Sequence, residues 1–243
     1  MKRFGLIGFP LGHSFSKKYF TEKFLREQRN DCKYEAFPLE SIDDLKILLE
    51  KHTDLVGLNV TIPYKEKVVG FLHSQSNSVA DTGACNCIHI QDNKLTGYNT
   101  DIIGFKRSLQ KSFPVIPSKA LILGTGGSSK AVEYVLKQLN IAYTFVSRKP
   151  SAKNLSYEQV TDQIINQYRL IINTTPLGMY PKIVEAPPIP YSAIGENHCL
   201  FDLIYNPDKT LFLKKGEEQG AMIQNGLEML EIQAEEAWII WNR

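Results

Sequence analysis

The sequence predicts an α/β protein in two halves, and three observations lead there. Short apolar runs of strand length alternate along the chain with segments whose apolar residues recur every three to four positions. One such run passes directly into a glycine-rich turn and then into a helical pattern. The composition is that of a folded globular chain, with 243 residues, 43% of them apolar and 22% charged.

Taken in order, the first hundred residues read as strands near Arg3–Gly8, Lys33–Leu39, Leu55–Ile62 and Ala84–Ile90, with a short strand through Tyr98 after the Asn93 turn. Helices are expected near Lys17–Arg29, Ile42–Lys51 and Tyr64–Leu72. Ser41 with Asp44 three residues on gives the second a capping-box-like start. The second half opens with a helix near Asp101–Lys111. Strands follow near Ala120–Leu123, Ala142–Ser147, Leu170–Asn173 and Leu200–Ile204, with a proline-rich loop over Glu185–Pro190. The last helix starts near Leu227 and runs to Trp241. Its Leu227, Leu230, Ala234, Ala237, Trp238 and Trp241 form one broad apolar face, which gives it a reason to dock on the first domain.

Charge excludes several classes of function. Lys and Arg total 28 and Asp and Glu total 26, which gives no general attraction to nucleic acid or to an anionic membrane. No apolar run approaches the roughly 20 residues that span a bilayer. Lys2-Arg3 before an apolar stretch superficially resembles a secretion signal, but Gly5, Gly8 and Pro10 interrupt that stretch and no A-x-A-like cleavage site follows. Cys32, Cys85, Cys87 and Cys199 are too few and scattered for a disulfide scaffold. A reduced, cytoplasmic protein is expected; monomer and homodimer stay open.

The strand Ala120–Leu123 runs into Gly124-Thr125-Gly126-Gly127-Ser128-Ser129 and then a helix. Glycines there permit a tight turn and close approach by a pyrophosphate, which free helix N–H groups bind. This is the pattern of a Rossmann-like parallel-sheet domain, although Ser129 stands where a third glycine is usual. The next strand ends Ser147-Arg148-Lys149 with no acid at its tip. A carboxylate there would bind a ribose 2′-hydroxyl, whereas Arg148 attracts a 2′-phosphate, so NADP(H) is the expected cofactor. Asn173-Thr174-Thr175 and Asp202 to Pro207 end two further strands with polar groups.

The first half has no nucleotide loop, yet its strand exits gather hydroxyls, amides, one lysine and one carboxylate. They are Gly12-His-Ser14-Phe-Ser16, Asn59-Val-Thr61-Ile-Pro-Tyr-Lys65, Gly83-Ala-Cys-Asn86 and Asn99-Thr-Asp101. Such a set suits a small polyhydroxylated acid. With Gly124–Gly127, Asn173–Met179, Asp202–Pro207 and Asn225-Gly226 followed by Gln233, these blocks resemble the shikimate dehydrogenase family from Gly5 to Ala237.

The resemblance implies a substrate-binding domain over 1–100, joined by the C-terminal helix 227–243, and an NADP-binding domain over 101–226. It implies NADPH-dependent reduction of 3-dehydroshikimate to shikimate, on the way to chorismate and aromatic amino acids. Lys65 and Asp101 match the catalytic pair, and Ser14 and Ser16 match ligands of the substrate carboxylate. Asn59, Thr61, Asn86, Asp101 and Gln233 match ligands of the ring hydroxyls, with Tyr205 near the same pocket. The cofactor set is Gly124, Thr125, Gly126, Gly127, Ser128, Ser147, Arg148 and Thr174, with Leu203 and Gly226 beside the nicotinamide.

Departures from the family pattern are a shorter chain, Lys149-Pro150 after Arg148, and Cys85 and Cys87 around Asn86. Strand alternation would put Cys85, Cys87 and His89 on one face, but common zinc pairs are spaced C-x₂₋₄-C and no second dense Cys/His group is present; core packing is expected and no metal. Two alternatives remain: a quinate/shikimate dehydrogenase using NAD, and a non-catalytic nucleotide-binding regulator. Retention of both Lys65 and Asp101 argues against the second.

Overall fold

A computed structural model describes residues 1–12, 15–149, 151 and 154–243. The chain divides into two units, Met1–Thr100 with Ala234–Arg243, and Asp101–Gln233. The first contains β1 (Lys2–Gly8), α1 (Phe15–Arg26), β2 (Cys32–Pro38), α2 (Asp44–Lys51), β3 (Leu55–Val60), β4 (Ser74–Gln75), α3 (Asn77–Thr82), β5 (Cys87–Gln91) and β6 (Lys94–Tyr98). In the second are α4 (Asp101–Ser112), β7 (Lys119–Leu123), α5 (Gly127–Gln138), β8 (Ala142–Val146), β9 (Asn154–Leu155), α6 (Asp162–Gln167), β10 (Leu170–Asn173), β11 (Cys199–Asp202), α7 (Leu211–Glu217) and β12 (Met222–Gln224). The last helix, α8 (Leu227–Trp241), begins in the second unit and ends in the first.

The sheet of the first unit runs β2-β1-β3-β5-β6-β4. Its β2, β1 and β3 are parallel, while β5 pairs antiparallel with both β3 and β6. Asp92 and Asn93, both at positive φ (50° and 58°), make the tight turn between β5 and β6. One face of the sheet packs Ile7, Leu58, Val60 and Ile88 against Leu45 and Leu48 of α2. On the other, Phe4, Leu6 and Tyr34 pack with Phe20 and Phe24 of α1 and with Ala234, Ala237 and Trp241, so the C-terminal part of the apolar face of α8 is spent on the first sheet, while Met229 joins the core of the second unit. The Trp241 indole donates from Nε1 to the Ile88 carbonyl (2.9 Å).

The second sheet is parallel throughout, in the order β12-β11-β10-β7-β8-β9. Counted from β7, this is the 3-2-1-4-5-6 order of the Rossmann fold, with its topological switch point between β7 and β10. The central strands β7, β10 and β11 are buried on both faces, as their continuous apolar runs require.

Two expectations fail locally. The helix expected over 64–72 is only a 3₁₀ turn, Lys67–Phe71. In an α-helix the Lys65 carbonyl would accept from Val69 N, but it accepts from Cys85 N (2.7 Å), and Val69 N turns to Glu66 O. The strand expected from Ala84 starts only at Cys87, so alternation does not extend back to Cys85. Cys85 packs with Ile88 and Leu95, and Cys87 with Phe4 and Trp241, on opposite sides of the sheet. The short helices α3, α6 and α7 were not expected, because each is too brief to show a period.

Candidate active site

In the first unit the polar residues at the strand exits form a buried chain of hydrogen bonds. Asn59, on β3, is 4% exposed, and Asn86, just before β5, is 3% exposed. The Asn86 side chain is doubly tied to Thr100, accepting from Thr100 N (2.7 Å) and donating to Thr100 Oγ1 (3.0 Å). Asn59 Oδ1 accepts from the Tyr34 hydroxyl (2.7 Å), and Ser16, in the first turn of α1, hydrogen-bonds the same phenol. Burial pushes that phenol well above its usual range, so it stays protonated. Ser14 lies outside the described residues.

Thr61 and Lys65 stand on the turn that follows β3, and both are half-buried. That turn is pinned at four points. Thr61 N donates to Ile7 O (2.9 Å), Tyr64 N to Thr61 O (2.9 Å), and Cys85 N to Lys65 O. The buried Tyr64 hydroxyl donates to Leu39 O (2.6 Å). The Lys65 stem therefore leaves a fixed backbone.

In the second unit Asp101 opens α4 and is 7% exposed; a carboxylate suits the N-terminal end of a helix. One turn on, α4 approaches α8 closely at Gly104: a Cβ there would stand 2.5 Å from Met229 O and 3.2 Å from Gln233 Cβ. The buried Gln233 thus lies beside the helix that carries Asp101, its Nε2 donating to Leu230 O (2.8 Å).

At the switch point Gly124 has φ +104°, and a Cβ would stand 2.8 Å from Thr174 Oγ1. Thr174 donates to Leu123 O from its hydroxyl (2.7 Å), joining the β7 and β10 exits. Thr125 is exposed; Gly126 caps α5 with no atom within 4 Å of a built Cβ, and Gly127 and Ser128 form the first helical turn. The unusual Ser129 folds inward and donates to Gly126 O (2.7 Å). A pyrophosphate fits this turn: the backbone is open where it must approach, and a helix N-terminus follows. Ser147 receives Lys149 N on its hydroxyl (3.2 Å), and Arg148 is exposed at the β8 exit.

A second buried hub ties the β10 and β11 exits. Asp202, fully buried, accepts from Asn173 Nδ2 (3.1 Å), Ile204 N (3.0 Å) and Thr210 Oγ1 (2.6 Å). Burial pushes its carboxyl up to about 6, with the three hydrogen bonds pulling the other way. Beyond it, Gly226 N donates to Ile204 O (2.9 Å), and a Cβ on Gly226 would overlap the Leu203 backbone. Leu203 and Gly226 are thereby neighbours, with half-buried Tyr205 on the same exit. Sequence reasoning missed Tyr34, Gly104 and Asp202.

A unit with the Rossmann strand order and an open glycine turn, in one chain with a unit rich in buried amides and hydroxyls, defines a dinucleotide-dependent dehydrogenase of small polar substrates. Residues 6–88 match the shikimate dehydrogenase substrate binding domain. Shikimate dehydrogenase (NADP(+)) of Caldicellulosiruptor bescii is 39% identical over 99% of this chain and 89% of its own length. Among solved structures, the Thermus thermophilus shikimate 5-dehydrogenase in complex with NADP(H) and shikimate has TM-score 0.86 and 28% identity, covering 99% of this chain and 93% of that one. Quinate dehydrogenase from Corynebacterium glutamicum in complex with NAD has TM-score 0.87 and 25% identity, with coverage of 99% and 93%. The chain belongs to the shikimate dehydrogenase family. It is an NADP-dependent oxidoreductase acting on a CH–OH group. Among the described residues no helix is long and apolar enough to cross a membrane.

Proposed function

We propose that this chain catalyses the reversible NADPH-dependent reduction of 3-dehydroshikimate to shikimate, with residues 1–100 and the helix 227–243 serving the substrate and residues 101–226 the cofactor. The observation that carries the reading is the buried Ser16–Tyr34–Asn59 and Asn86–Thr100 bonding around the fixed Lys65 turn. Ser14 and Ser16 bind the substrate carboxylate. Asn59, Thr61, Asn86 and Gln233 hold ring hydroxyls, with Tyr205 beside them. NADPH, when bound, supplies the hydride. Lys65 donates a proton or hydrogen bond from Nζ to the carbonyl oxygen as negative charge develops there. Asp101 orients that ammonium and binds a neighbouring hydroxyl. Gly124, Thr125, Gly126, Gly127, Ser128 and Thr174 hold the pyrophosphate side of the cofactor, and Ser147 and Arg148 the 2′-phosphate. Leu203 and Gly226 line the nicotinamide.

The cysteines are free thiols, which supports a cytoplasmic setting. The test is to offer shikimate and quinate, each with NADP⁺ and NAD⁺, and follow the absorbance of reduced cofactor. Shikimate with NADP⁺ is expected to be fastest. Faster turnover of quinate with NAD⁺ would favour the quinate reading, and no turnover of any pair a non-catalytic protein.

A further inference from the structure

We propose that Tyr34 is a positioning residue of the substrate site, whose buried hydroxyl links Ser16 to Asn59 and sets which hydrogen-bonding groups those two side chains offer the substrate. The inference rests on the reading of Ser16 and Asn59 as substrate ligands. Tyr34 lies on β2, 5% exposed, its ring stacked on Phe20 at 4.7 Å and 12°. Its proton goes to Asn59 Oδ1 at 2.7 Å. A phenol has one proton to give, so the Ser16 hydroxyl must be the donor in its bond to the same oxygen.

Two consequences follow for recognition. The Asn59 carbonyl oxygen is occupied, so its amide presents N–H donors. One points to Asn86 O at 3.5 Å, beyond a good hydrogen bond, which leaves the NH₂ group available to a ring oxygen. The Ser16 proton, by contrast, rests on the phenol but turns about one bond. A carboxylate competes for it with a charge-assisted bond about twice as strong as a neutral one. Tyr34 thus parks the serine proton until a carboxylate takes it and fixes the asparagine in donor orientation. Because burial keeps the phenol protonated, this polarity persists over the working pH range.

Tyr34→Phe deletes the hydroxyl and keeps the stacking ring. Loss of one neutral hydrogen bond that orients a ligand predicts a rise of about 2- to 13-fold in KM for shikimate. With the bond made equally in ground and transition states, kcat should stay within about twofold, and KM for NADP⁺ should be unchanged. A purely structural role would instead lower kcat or Tm and disturb both KM values. Asn59→Asp is the companion variant: it keeps an acceptor for Tyr34, removes the donor, and should raise KM for shikimate at least as much. Ser16→Ala and Asn59→Ala should be non-additive in KM in the wild-type background and additive when Tyr34→Phe is present. If Ser16→Ala and Asn59→Ala raise KM for shikimate while Tyr34→Phe does not, the role given to Tyr34 is wrong and the substrate site stands. If Ser16→Ala and Asn59→Ala both leave KM unchanged, the substrate-site reading fails, and this inference with it.

Discussion

Asp202 gives the second unit a specific dependence on pH. Its carboxyl is raised by burial from the ordinary aspartate value of 3.8 to about 6. The folded state therefore holds the proton more tightly than the unfolded chain, and the contribution of Asp202 to stability is greatest below 3.8 and is lost as pH rises through about 6. The whole gap corresponds to about 3 kcal/mol, of which about 1.4 kcal/mol falls between about pH 5 and about pH 8. Asp202→Asn removes the titration and keeps the acceptor for Asn173 Nδ2 and Ile204 N. The new amide faces the Thr210 oxygen, and the threonine proton loses its acceptor, a roughly pH-independent cost of about 1 kcal/mol. Urea unfolding of wild type and variant at the two pH values isolates the effect, because every other titrating group cancels in the double difference. The variant should gain about 1.4 kcal/mol relative to wild type between the acid and the alkaline measurement, or about 3–6 °C in Tm. An equal difference between the two proteins at both pH values would refute the reasoning.

Arg148→Ala should weaken NADP⁺ by about 10- to 150-fold, the worth of a charge-assisted hydrogen bond, with little effect on NAD⁺. Equal losses in a fluorescence titration with each cofactor would reject the 2′-phosphate assignment. Trp241→Ala empties a site that is 2% exposed and removes the indole's hydrogen bond to the Ile88 carbonyl, so unfolding of the first unit should be easier by about 3–5 kcal/mol in urea titration. A loss under 1 kcal/mol would mean that the end of α8 is not part of that core.

Much of this architecture was legible because it is periodic. The α8 pattern read from Leu227 to Trp241 matches the observed helix, and β7 and β10 fall where their apolar runs stand. The glycine turn was legible because φ near +104° at Gly124, with Thr174 and Thr175 close by, excludes most other residues there. Pairing between distant residues was not. Tyr34 reads as an ordinary strand aromatic, and its partner Asn59 lies 25 residues away across two strands. Asp202 reads as a strand-end turn residue until Asn173 and Thr210 are seen to converge on it. Alternation misplaced Cys85 because the pleat it assumes begins two residues later, and the 64–72 helix gave way to a tertiary hydrogen bond from Cys85 N.

The role of Lys65 is the centre of the account, and its direct test is the steady-state rate of NADPH appearance from shikimate and NADP⁺ with wild type and Lys65→Met side by side. A group that hands a proton or hydrogen bond to the reacting oxygen contributes about 10²- to 10⁴-fold, so kcat should fall by that factor while KM for shikimate changes far less. Normal kcat with only a raised KM would make Lys65 a binding residue and contradict the mechanism.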